Sequence, residues 1–170
     1  MNKFIDELSN KMYELYKVYE SYAWNGTNKR IVIVLEKRNI ISIYLYDLYN
    51  NDELMDDVHI SFDSKETNLY YAIALRLFVK TLGNVMIYKL DNDMYYNATH
   101  KSYLLYIVKN EKIKEMIDEL ILRQENEIIC YDTDAVKNIT ETVKNKIYSR
   151  KILSEIDNHI RFTNKMLRRW

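Results

Sequence analysis

Apolar residues recur along this chain at two spacings, and those spacings lay out most of its elements. Over positions 4–23, Phe4, Leu8, Met12, Leu15, Tyr19 and Tyr22 fall three or four apart. That spacing predicts an amphipathic helix, widened by Tyr13 and Tyr16 and ended by the turn signal Asn25-Gly26. Positions 31–35 and 40–45 are β-branched runs separated by Glu36-Lys37-Arg38-Asn39, the pattern of a hairpin with a polar turn. Positions 50–57 read as a polar, acidic loop, and 58–62 alternate as a third strand.

The most apolar stretch runs from Asp63 to Leu90. Asp63 and Glu66 have the spacing of a capping box, with Asp63 as N-cap. Leu69, Ile73, Leu77 and Val79, filled in by Ala72, Leu75 and Phe78, then predict a helix that needs covering on more than one side. Gly83 stops it, and Val85-Met86-Ile87-Tyr88 reads as a buried strand. Beyond lie a loop at 91–100, a strand at 103–108 and a helix marked by Ile113, Met116, Ile117, Leu120 and Ile121. A strand at 127–131 and a last helix capped by Asp132 or Thr133 complete the series. The expected fold is α+β, in the order α-β-β-β-α-β-β-α-β-α, with a mixed sheet packed on the central apolar helix at 63–83.

The last helix changes phase. Val136, Ile139, Val143 and Ile147 set one face, whose continuation would fall on Arg150, Lys151 and Ser154. A new series begins instead at Ile152, Ile156, Ile160, Thr163, Leu167 and Trp170, a rotation of roughly 140° at ~100° per residue. The expectation is a core domain over 1–148 and a kinked, basic amphipathic arm over 149–170. Either the arm is a kinked core helix, or it packs on a partner or a second copy.

Composition and charge then narrow the function classes. Of 170 residues, 48% are hydrophobic and 29% charged at zero net charge, which fits one folded domain rather than a disordered chain. No run approaches the ~18 apolar residues of a membrane span, and the N-terminus is not a signal peptide. The single Cys130 fits a reducing, cytoplasmic setting. Zero prolines, two glycines and 16 tyrosines point to an AT-rich coding sequence, and with it to a viral, phage or mobile-element origin. From Lys137 to Trp170 there are nine Lys/Arg against three Asp/Glu, a balance of +6; the remainder, 16 against 22, carries −6. A basic arm on an acidic body can dock on that body, on nucleic acid or on an acidic partner.

Glycine is the quickest filter on chemistry. Gly26 and Gly83 are far apart and in no phosphate-loop context, which excludes Rossmann and P-loop nucleotide sites. His59, His100 and His159 are scattered and Cys130 is alone, so no metal or other cofactor is expected. One order-and-spacing match remains. The α-β-β-β-α-β order, with Asp47 followed by Asp63-Ser64-Lys65, resembles the core of restriction-endonuclease-like nucleases. That resemblance implies a Mg²⁺ held by Asp47 and Asp63, with Lys65 stabilising charge at the attacked phosphate. It departs from the pattern in placing Asp47 opposite the end to which the hairpin brings Asp63.

Three readings follow. The leading one is a small non-enzymatic accessory protein that binds a protein, such as a host defence complex it inhibits, and that also self-associates as a homodimer. Its contacts would be Ile152, Ile156, Ile160, Leu167 and Trp170 on the arm and the acidic Asp52, Glu53, Asp56 and Asp57. In the second, Arg161, Lys165, Arg168 and Arg169 neutralise nucleic-acid phosphates while Trp170 stacks on bases. The third is the Mg²⁺-dependent nuclease.

Overall fold

The computed structural model describes residues 3–23, 29–47, 53–82, 87–89, 93–97, 103–124 and 156–162. The elements are α1 (Lys3–Ala23), β1 (Lys29–Leu35), β2 (Ile40–Asp47), β3 (Glu53–Ser61), a 3-10 turn (Ser64–Glu66), α2 (Thr67–Leu82), β4 (Ile87–Lys89), β5 (Met94–Asn97), β6 (Leu104–Val108) and α3 (Glu111–Gln124). A short helix, α4, covers 156–162. The fold is α+β around a mixed six-stranded sheet in the order β3-β2-β1-β6-β5-β4. β1 and β6 pair in parallel, and every other pairing is antiparallel.

Strand alternation sorts the sheet into two unlike faces. Ile31, Ile33 and Leu35 of β1 stand opposite Leu45, Ile43 and Ile41 of β2 and Leu104, Tyr106 and Val108 of β6, and all nine are buried. Helices cover this face: Phe78 of α2 meets Tyr106 edge-on at 5.0 Å, and Tyr19 of α1 reaches Asp56 of β3. The other face carries Val32, Val34, Tyr44, Tyr46, Leu105, Ile107, Met94 and Tyr96, each half-buried. None of α1, α2 and α3 sits on it.

α2 is enclosed on nearly every side, as its composition demands. Leu69, Ala72, Ile73, Leu75, Leu77 and Phe78 are buried with at most 1% exposure. Arg76 is buried too and pairs with Asp6 on α1. Its start is fixed by side chains: Asp63 accepts from the Lys65 amide at 3.2 Å, and Glu66 accepts from the Asp63 amide at 2.8 Å. The hairpin tip locks onto this cap. Asn39 takes φ 54°, a left-handed conformation that asparagine tolerates, and its amide donates to Thr67 Oγ1 at 3.0 Å. Tyr70 donates to the Glu36 carbonyl at 2.6 Å, tying α2 to the same turn.

Two expected loops are strands. Positions 53–57 belong to β3, although Glu53, Asp56 and Asp57 are poor strand formers, because β2 supplies the pairing and acidic side chains can stay solvated at a sheet edge. The expected loop at 91–100 contains β5, four residues whose Tyr95 and Asn97 are buried against α2 and its end. α1 buries Leu8, Met12, Leu15 and Tyr19 of the expected stripe together with Ile5 and Tyr16, while Phe4 and Tyr22 at its two ends are half-buried. Gly83, Val85 and Met86, the strand expected at 127–131, the helix expected after Thr133 and the start of the arm at 149–155 lie outside the described residues.

Candidate functional site

Among the described residues β3 is the edge strand at one end of the sheet, and its two halves differ in burial. Val58 and Ile60 point under the helices, while Glu53, Leu54, Asp57, His59 and Ser61 are exposed. A register shift between Leu45 and Tyr46 leaves Met55 without a partner, so the acidic half of β3 bends relative to its apolar half. Leu54 is 45% exposed, a large apolar side chain between acids at the rim.

Three of the four acids singled out above are described, and their surroundings differ. Asp56 accepts the Tyr19 hydroxyl at 2.8 Å. Burial, reinforced by this carboxylate, pushes the Tyr19 hydroxyl well above its ordinary pKa, so it remains a donor at any physiological pH. Asp56 therefore anchors β3 to α1. Asp57 meets Nε2 of His59 at 2.7 Å, and with Glu53 it faces solvent. Asp52 lies outside the described residues.

His59 continues a polar chain that sequence spacing does not show. Its Nδ1 is 2.8 Å from Ser42 Oγ on the facing position of β2, and Ser42 donates to Glu36. Serine, histidine and aspartate thus touch in series, the order of a hydrolase triad. The protons run the wrong way for one. With its single hydrogen on Glu36, the Ser42 oxygen accepts from the imidazole instead of giving a proton to it. Ser42 is also fully buried, with no path for a substrate carbonyl. The chain ties the β1–β2 turn to β3.

Beside His59 opens a cavity of about 360 Å³ between β3 and α4, lined by His59, Ile60, Ile156, Asn158, His159 and Phe162. Ile156 and Ile160, expected as partner contacts, are 1% and 7% exposed and belong to the main apolar cluster. Asp157 adds an ion pair with Lys11 of α1 at 2.9 Å. This part of the arm docks on its own domain. Arg161 faces solvent and Phe162 is 60% exposed. Ile152, Lys165, Leu167, Arg168, Arg169 and Trp170 lie outside the described residues.

The proposed nuclease residues are not brought together. The β2–β3 register sets Ile40 against Ser61 and Asp47 against Glu53, so Asp47 and Asp63 sit at opposite ends of β2. Seven steps at ~3.3 Å separate those ends by about 23 Å, far beyond the reach of one cation. Asp47 pairs with Lys29 at 3.2 Å, and Asp63 caps the turn before α2. Among the described residues no three His, Cys, Asp or Glu side chains group as metal ligands, and no helix is long and apolar enough to cross a membrane. No known family model, curated protein or solved structure matches this chain.

Proposed function

We propose that this chain is a non-enzymatic binding protein that docks a protein partner along the edge of β3. The observation that carries the reading is the outward side of that strand. Glu53, Leu54 and Asp57 are exposed on a nine-residue strand with one described neighbour strand, with Leu54 and Asp57 on the same face of the sheet and Glu53 on the other. An edge of this kind can accept an extended segment through its backbone, and the two carboxylates favour a segment carrying Lys or Arg. The partner chemistry is therefore basic and extended, with Leu54 as the apolar anchor. Composition adds a setting, that of a viral or mobile-element accessory factor that works by occupying a host complex.

A second reading draws on α4. Arg161 and Phe162 are exposed side by side, a cation and a stacking ring suited to single-stranded nucleic acid. One purification separates the two. The full chain and its Glu53→Lys/Asp57→Lys variant are isolated at low salt from the native host. The proposal expects a stoichiometric protein with the wild type that is lost with the variant. Nucleic acid released by salt, equal for both chains, would favour the α4 reading instead.

A further inference from the structure

Hydrogens are scarce along the chain Glu36–Ser42–His59–Asp57, and their number fixes what His59 can do. Its two ends are carboxylates, which only accept when ionised. Ser42 brings one hydrogen and donates it to Glu36, so its oxygen accepts from His59 Nδ1 at 2.8 Å. Asp57 accepts from Nε2 at 2.7 Å. Three contacts need three hydrogens, and a neutral imidazole leaves the chain one short. We infer that His59 is a proton-operated clasp on Asp57: the doubly protonated ring holds the carboxylate and masks its charge, and the singly protonated ring releases it to solvent.

Burial decides which contact opens when the ring gives a proton to water. Ser42 is fully buried, set between Val34 of β1 and His59 of β3 by the strand register. Turning its hydrogen toward Nδ1 would take a donor from the half-buried Glu36 at a hydroxyl that water cannot reach. The Asp57 side chain is 41% exposed, so water replaces the imidazole there at little cost. The neutral ring is therefore the Nδ1–H tautomer, fixed by its bond to Ser42.

The groups facing the ring come from every element around it. Tyr44 of β2, opposite Asp57 in the register, meets it edge-on at 5.4 Å. Glu36 acts on it through Ser42 from the β1–β2 turn, Asp57 lies beside it on β3, and His159 of α4 shares the adjoining cavity. The two carboxylates favour the added proton, and a charged His159 opposes it. Resting on the docking reading above, the clasp regulates the β3 edge. Acid closes it and neutralises Asp57, while loss of the proton gives the edge one more free negative charge for a basic segment.

The test follows the ring nitrogens themselves. The full chain, labelled with ¹⁵N-histidine, is titrated over about pH 5 to 8, where imidazoles change charge. Long-range ¹H–¹⁵N spectra report which nitrogens carry hydrogen, and His59→Gln locates the His59 signals. The inference expects both nitrogens protonated at the acid end and Nδ1 alone at the alkaline end. Ser42→Ala removes the buried acceptor and should reverse the neutral tautomer, leaving Nε2–H on Asp57. An Nε2–H ring in the alkaline wild type overturns the clasp, whether or not Ser42→Ala folds. A synthetic lysine-rich peptide, whose own charge is constant over this range, then probes the edge. Its affinity for the wild type should rise about fivefold from acid to alkaline, the effect of one nearby exposed charge, and His59→Gln should abolish the rise. An equal rise in His59→Gln overturns the regulation. Ring nitrogens that behave as expected beside a peptide that binds at neither pH would support the clasp and refute docking at β3.

Discussion

Phe78 is the residue through which α2 grips the sheet, and its removal has a calculable effect. The ring is fully buried, edge-on to Tyr106 at 5.0 Å and to Tyr95 at 5.9 Å. Truncation to alanine loses the transfer free energy of the ring and opens a void that the flanking tyrosines cannot fill. Both tyrosines are pinned by their hydroxyls, Tyr106 to Thr81 at 2.6 Å and Tyr95 to Asp118 at 2.9 Å. Phe78→Ala is therefore expected at the full cost of a buried aromatic, about 3–5 kcal/mol. Domains of this kind hold ~5–15 kcal/mol in all. The melting temperature should drop by roughly 6–20 °C at ~2–4 °C per kcal/mol. Urea unfolding followed by far-ultraviolet circular dichroism measures the change, with an unaltered slope showing that the unfolded reference is the same. A double-mutant cycle with Tyr106→Leu should return a coupling of about 0.5–1.5 kcal/mol for the ring pair. A loss below ~1 kcal/mol in the single variant would refute the packing of α2 on β5 and β6.

Other expectations are as direct. Asp63→Ala should cost about 1 kcal/mol through loss of the α2 cap, measured by the same urea titration, and Asp63→Ser should restore most of it. The buried Tyr16, Tyr19, Tyr70, Tyr95 and Tyr106 have hydroxyls pushed far above the usual range by burial, and Tyr103 is raised to about 12. Each folded value exceeds the unfolded value near ~10, so their contribution is complete below that pH and falls away as pH rises through the folded values. Absorbance at 295 nm should then show exposed tyrosines ionising first and the buried set ionising together with loss of circular dichroism. Titration of all of them near pH 10 in a still-folded chain would contradict this. Asn39→Ala should destabilise more than Asn39→Gly in thermal melts, because only the former opposes the left-handed backbone; equal losses would place the whole effect in the Thr67 hydrogen bond.

Local pattern carried most of the architecture because each main element is internally consistent. α1 and α2 have helical periodicity, β1 and β2 are β-branched, and Asp63-x-x-Glu66 satisfies the cap wherever the rest of the chain goes. The misassigned segments depend on neighbours. Glu53 and Asp57 become strand because β2 pairs with them, and Tyr95 becomes strand because β6 and Phe78 hold it. The same limit hides the contacts at the site. Ser42 and His59 lie 17 residues apart and meet only when the hairpin register sets them opposite. The burial of Ile156 and Ile160 likewise needs the edge formed by α1 and β3 before it exists. By contrast, the separation of Asp47 from Asp63 could be read from hairpin geometry alone.

The central claim is that the acidic edge of β3 selects a protein partner. The most direct measurement is quantitative mass spectrometry of what co-purifies with the full wild-type chain, with Glu53→Lys/Asp57→Lys and with Lys112→Glu as a remote charge control. The account predicts a stoichiometric protein that is retained by wild type and control, weakened by salt, and lost with the β3 variant although that variant melts like the wild type. Equal recovery of the same protein by all three chains would contradict it.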